Sequence, residues 1–176
     1  VEPQFISQHK AKHLLAHVLV ATGARRWPQA TLGDSGETST GFFADFAMPD
    51  VPGAAELARL GEAMARLLSE FRTFRGLRVT PAEARSLFAA QPWKQHVVEA
   101  LSELDATIGL YELDGVIDVC DCAIKRPGEL LAIRSEQFRL TGAASIPWIH
   151  RGRTTWFVRV RGEIVPVPPP CGCCPG

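Results

Sequence analysis

Apolar residues Leu14, Leu15, Val18 and Leu19 recur at the spacing of one helical stripe, and the pattern predicts a helix over residues 4–22 with Gly23 placed to close it. The text then changes. Gly33, Asp34, Ser35 and Gly36 are turn formers, and residues 38–46 are rich in Thr and Phe, so residues 31–48 read as strands joined by a turn. A second long helix is predicted over 53–72, with Leu57, Leu60, Met64, Leu67, Leu68 and Phe71 as its apolar stripe. Arg75-Gly76 ends it, and residues 77–79 form a short strand. Thr80-Pro81-Ala82-Glu83 starts a short helix running to about residue 90. Thr is the N-cap, Pro takes the first helical position, and Glu stands three residues after the cap. Another helix begins at Pro92 and runs to about residue 104.

The second half alternates like strands. Residues 107–113 and 116–122 flank Asp114-Gly115, a strong hairpin dipeptide. Strands follow at 138–141 and 155–160, and Arg161-Gly162 is read as a turn into 164–165. The pattern predicts an α+β fold with helices packed on a largely antiparallel sheet. The expected organisation is one domain over 1–165 and a Pro-, Gly- and Cys-rich tail over 166–176, with no internal repeat.

Of 176 residues, 46% are apolar and 22% charged, enough for an ordinary core. No apolar run reaches the roughly 18 to 20 residues that span a bilayer. The start Val1-Glu2-Pro3-Gln4 lacks a basic and apolar leader, so the expectation is a cytoplasmic protein, its missing Met a sign of trimming. Formal net charge is zero, against the basic excess usual in nucleic-acid binders. Yet Arg134, Arg139, Arg151, Arg153, Arg159 and Arg161 crowd the last third, either as a local basic face or as a solvated sheet face. The five cysteines are an odd number, and with no secretory leader they point to metal binding or burial rather than disulfides.

Two clusters carry chemistry. His9, His13 and His17 lie four residues apart on one helix, so His13 and His17 stand on one stripe, a common way to hold a metal; two ordinary polar-face or core histidines give the same pattern. In Asp118-Val119-Cys120-Asp121-Cys122, residues two apart share a strand face, which groups Asp118 with Cys120 and Cys122. A carboxylate and two thiols ligate a metal or activate water, whereas small buried cysteines act as apolar residues.

His13-Leu14-Leu15-Ala16-His17 resembles the helix motif of the threonyl-tRNA synthetase editing domain, the second of that enzyme's N-terminal domains. Gly41-Phe42-Phe43-Ala44-Asp45-Phe46 resembles its aromatic strand. Glu83-Ala84-Arg85 with Phe88, Trp93-Lys94, Ile117-Asp118-Val119-Cys120 and Phe138-Arg139-Leu140-Thr141-Gly142-Ala143 with Trp148 are similar to its later motifs, in order, from about residue 5 to 165. The resemblance extends to the free-standing threonyl and alanyl editing proteins. It implies a hydrolase that removes a wrong amino acid, serine or a threonine analogue, from threonine tRNA. It implies His13, His17, Asp118 and Lys94 as the catalytic set, and Phe43, Asp45, Lys94 and Asp118 as substrate-binding residues. A zinc ion on His13, His17 and Cys120 is the implied cofactor, and aminoacyl-tRNA, not a membrane or DNA, the implied partner; Cys122, from the strand pattern and not from the resemblance, is a further metal ligand that would close the site and favour a structural metal. The family continues Cys-Arg-Gly-Pro-His after the cysteine; Ile124 stands at that histidine's place, and Phe43 and Ala44 replace hydroxylated rings.

Ester hydrolysis needs an oriented water and a stabilised oxyanion. The expected geometry has His13, His17, Asp118 and Cys120 converging on one pocket with Lys94 at its rim. The chain shows no Gly-rich phosphate loop or adenylation motif, so the expected action is in trans, on tRNA charged by another enzyme. Its Ala-, Arg-, Gly- and Pro-rich composition reads as a GC-rich genome, in which such a protein would clear a noncanonical threonine analogue. Two other readings stand beside this one: a pathway enzyme acting on a small amino acid derivative, and a non-catalytic binding module. The neutral net charge favours both.

Overall fold

The computed structural model describes residues 7–120 and 127–165. It is α+β, with helices packed on antiparallel sheets. The elements run α1 (Gln8–Arg26), β1 (Thr31–Glu37), β2 (Gly41–Ala47), α2 (Ala54–Glu70), β3 (Phe74–Val79), α3 (Pro81–Leu87), α4 (Pro92–Ser102), β4 (Ile108–Leu113), β5 (Val116–Val119), α5 (Pro127–Leu131), β6 (Phe138–His150) and β7 (Arg153–Ile164). The strands form a four-stranded sheet, β1-β2-β7-β6, and a three-stranded sheet, β3-β4-β5.

Helix α1 starts at Gln8 because the Ser7 hydroxyl caps it, accepting from the Lys10 N–H at 3.3 Å. It runs past Gly23, which the sequence pattern assigned as its stop. Gly23 instead gives the Phe46 ring of β2 room to lie against the helix, since a Cβ there would collide with that ring. Residues 14–23 are all buried. The helix packs on β1, β2 and α2 and also touches β4, β5 and β7, so it lies against both sheets. Leu14, Leu15, Leu19, Phe42, Phe46 and Met64 form the centre of the main core. A smaller core, Ala84, Phe88, Val98, Ile108 and Leu110, joins α3 and α4 to the other face of the small sheet.

The largest departure from the sequence pattern is the β6–β7 hairpin, which pairs without a break from Ser145↔Val158 to His150↔Arg153. Arg161-Gly162 is not a turn: both residues lie within β7, and Gly162 leaves space for the Phe42 ring. The turn is at Arg151-Gly152, where both φ values are positive, 48° and 72°. The strand predicted over 116–122 ends at Val119. Cys122, Ile124, the tail over 166–176 and its three cysteines lie outside the described residues.

Candidate metal centre and the ion pair beside it

Because α1 is clasped by both sheets, its histidines differ in environment. His9 is exposed, His13 is half-buried, and His17 is buried. Their four-residue spacing stacks His13 on His17, ring centroids 4.6 Å apart and near perpendicular. His17 also packs on Tyr111 of β4, with centroids 3.8 Å apart. The end of β5 brings Cys120 to the same place, its backbone N–H fixed by the Gly109 carbonyl at 3.0 Å. Cys120 Sγ lies 3.4 Å from His13 Nε2. One donor atom from each of His13, His17 and Cys120 falls within 4.8 Å of the others, and this is the one such His/Cys/carboxylate cluster among the described residues.

Glu37 backs this cluster. Its carboxylate lies 2.8 Å from His9 Nδ1 and 3.8 Å from His13 Nδ1. A carboxylate on the far nitrogen of an imidazole orients the near one. In His13 the near nitrogen is Nε2, which faces Cys120.

Asp118 sits directly opposite Tyr111 in the β4–β5 ladder and so shares its face. Its carboxylate holds Lys94 Nζ at 2.6 Å and the Val119 N–H at 2.7 Å through the same oxygen, Oδ1. Oδ2 accepts no hydrogen bond from the described residues. The side chains of Lys94 and Asp118 are 5% and 0% exposed. Lys94 is therefore not at a rim, as the sequence reading had it, but inside. Its helix, α4, is tied to β1, an edge strand of the large sheet, by Gln91, whose side chain accepts from the Leu32 N–H at 2.7 Å.

Asp45 and Phe43, on β2, meet one residue of β7. Both Asp45 oxygens take guanidinium hydrogen bonds from Arg159 at 2.8 Å, and that guanidinium lies 3.9 Å over the Phe43 ring. Burial pushes the Asp45 carboxyl up, and the Arg159 hydrogen bonds partly offset it. In turn Asp45 holds the Arg159 guanidinium more firmly charged.

Sequence reasoning missed Tyr111, Glu37 and Arg159. Tyr111 is the only tyrosine of the chain and sits on an alternating strand, which marks a face but not what it meets. Glu37 carried no local signal and Arg159 stood out only as one of six crowded arginines, because each reaches the site by tertiary pairing.

No family model matches the chain. A threonine–tRNA ligase of Dehalococcoides mccartyi is 27% identical over 157 residues, covering 89% of this chain and 25% of the ligase. One of Treponema pallidum is 28% identical over 153 residues, 87% of this chain and 25% of the ligase. One of Clostridium perfringens is 28% identical over 113 residues, 64% of this chain and 17% of the ligase. The chain is thus homologous, at low identity, to part of bacterial threonine–tRNA ligases, and it spans about a quarter or less of their length.

Proposed function

We propose that this chain hydrolyses the ester joining a misplaced amino acid, serine or a threonine analogue, to a threonine tRNA charged at a separate catalytic site. The observation that carries the reading is the convergence of His13, His17 and Cys120 from α1 and the end of β5, in a chain homologous to part of threonine–tRNA ligases. Two imidazoles and a thiolate with one position open are the donor set of a catalytic zinc. Donors around a tetrahedral zinc stand roughly 3.3–3.8 Å apart, given bonds of about 2.0–2.3 Å, and His13 Nε2 and Cys120 Sγ are at 3.4 Å. His13, His17 and Cys120 would hold the group and leave its fourth position open; a Cys122 ligand closing the set would make the metal structural instead.

Bound there, a zinc ion would supply Lewis acidity and would bring the pKa of water to about 7. The chain's own residues do the rest. Lys94 sets a fixed positive charge for the oxygen on which negative charge grows, and Asp118 Oδ1 keeps its ammonium in place. Asp118 Oδ2, buried and with its acceptor capacity unused among the described residues, is the atom left for the α-ammonium of the amino acid once the site opens to substrate. Asp45 acts through Arg159, since both its oxygens are taken, and Phe43 supports that guanidinium from below. In a metal-free state the imidazoles of His13 and His17 serve as the base, being the side chain that titrates nearest neutrality.

The zero net charge favours a second reading, the same centre acting on a small amino acid derivative without tRNA. One assay separates the two: seryl-tRNA and threonyl-tRNA of the threonine isoacceptor, beside free aminoacyl esters. Selective loss of serine from tRNA is expected. His13→Ala and Cys120→Ala should each slow it by about 100-fold or more, and chelation should slow it if the metal takes part. Hydrolysis of free esters alone transfers the function to the second reading. A folded protein that hydrolyses none of them is a binding module.

A further inference from the structure

We propose that the face of the four-stranded sheet turned away from α1 is a track for single-stranded RNA. It rests on the aminoacyl-tRNA reading for the identity of the strand, and on the following geometry for its place. Directly paired residues of antiparallel strands share a face. Phe42, Phe46, Val158 and Val160 fill the core on one side. Phe43↔Arg161 and Asp45↔Arg159 stand on the other. The same side continues along the hairpin through Ile146↔Phe157, Trp148↔Thr155 and His150↔Arg153. From Ser145 to Phe157 the hairpin extends past the last β2 pair, Phe46↔Val158, so its outer half has no further strand beside it among the described residues.

Asp45 and Phe157, in the middle of this strip, are each 4% exposed; rings and positive charge reach the surface on either side of them, Phe43 with Arg161 at one end and Trp148, His150 and Arg153 at the other. Trp148 meets Trp93 of α4 edge-on at 4.8 Å, and His150 lies stacked on Trp148, 5.2 Å between centroids and 15° between planes. Trp93, Trp148, His96 and His150 are all part-exposed. Packing of α4 on the hairpin accounts for Trp93 and Trp148. It does not account for the charge. Arg159 is neutralised by Asp45 and Arg139 by Glu163, but Arg153 and Arg161 are exposed and no described carboxylate pairs with either. Uncompensated arginines spaced along part-exposed aromatic rings complement phosphates spaced along unstacked bases. A duplex keeps its bases stacked away from such rings, and an acidic peptide has no base to lay on them. The strip also passes beside the proposed reaction: Trp93, whose ring meets Trp148 and Phe157, is the neighbour of Lys94. A strand laid along it would carry its terminus to the buried ion pair.

The test is fluorescence anisotropy of a labelled RNA single strand at several salt concentrations, with the duplex of the same sequence and a polyglutamate peptide as competitors. The wild-type protein should bind the single strand in preference to both. Arg153→Glu with Arg161→Glu should lower the slope of log affinity against log salt by about 1.4, two phosphate contacts on a single strand, while hydrolysis of a free aminoacyl ester is unchanged. Trp148→Ala should weaken binding by roughly fivefold to a hundredfold, and Trp148→Phe should recover most of it. No binding of the single strand overturns the proposal. So does duplex or polyglutamate binding as tight as that of the strand, or a salt slope that the double charge reversal leaves alone. Strand binding that follows these variants in a protein inert toward every ester upholds the track and removes the deacylase reading. Hydrolysis of the tRNA ester without strand binding does the reverse.

Discussion

A buried ammonium and a buried carboxylate each cost several kcal/mol in isolation. Lys94 and Asp118 answer one another at 2.6 Å with almost no exposure of either side chain. Lys94→Ala should therefore destabilise the protein by about 3–5 kcal/mol, because it leaves the Asp118 charge buried and unanswered. Lys94→Met combined with Asp118→Asn should recover much of that loss while abolishing hydrolysis. Urea unfolding of the three proteins measures it; a loss below about 1 kcal/mol for Lys94→Ala would place the pair in solvent. The same residue scale explains the histidines. Three imidazoles at equal spacing are alike in the sequence, and only depth separates exposed His9 from buried His17.

Helix α3 and the β6–β7 hairpin mark the two ends of legibility among the elements. Thr80-Pro81-Ala82-Glu83 states its helix start in four residues, and the structure contains the capping box: the Glu83 N–H on the Thr80 hydroxyl at 3.3 Å, and the Glu83 carboxylate on the Thr80 N–H at 2.7 Å. Thr80→Ala should cost about 1 kcal/mol. The hydrogen bond from the Thr80 backbone N–H, then that from its hydroxyl, holds the Glu83 carboxyl below its ordinary range. With the folded pKa depressed, the Glu83 contribution is present above the usual glutamate pKa and is lost as pH falls through the depressed value. A Thr80→Ala defect that narrows on acidification in thermal melts is the expected result; one constant with pH would detach Glu83 from the cap. The hairpin is the opposite case. Pro147 within β6 argues against a strand, yet β6 is the sheet edge, where a missing N–H is tolerated. Arg151-Gly152 turns with φ values of 48° and 72°, close to the 48° and 85° of Asp114-Gly115. Asp before Gly announces such a turn and Arg does not.

At the scale of the molecule, α1 is the axis. It touches strands of both sheets, so the donors of α1 and β5 meet at a partly buried place, His17 buried and His13 and Cys120 part-exposed, and no helix among the described residues is long and apolar enough to cross a membrane. Among the described residues, both cores are built from positions between Ala11 and Ile164. Deleting residues 168–176 should leave both melting temperature and hydrolysis rate unchanged. A large loss of rate with an unchanged melting temperature would give Cys171, Cys173 or Cys174 a part in the centre.

The sequence by itself determined what depends on neighbours a few residues away. Helical and alternating periods located the long helices and most strands but not α5, the capping box placed α3, and Asp114-Gly115 placed one hairpin. His13 with His17, and Asp118 with Cys120, were each legible as pairs, because helix and strand repeats put them on one face. Distance along the chain hid the rest. The meeting of His13 and His17 with Cys120, the Glu37 carboxylate behind His13 and the guanidinium of Arg159 on Asp45 join residues that local periodicity treats as unrelated. Lys94 shows the reason most plainly: a charged side chain has the same local preferences at a rim or in a core, and only the packing of α4 against the carboxylate of Asp118 decided which it occupies.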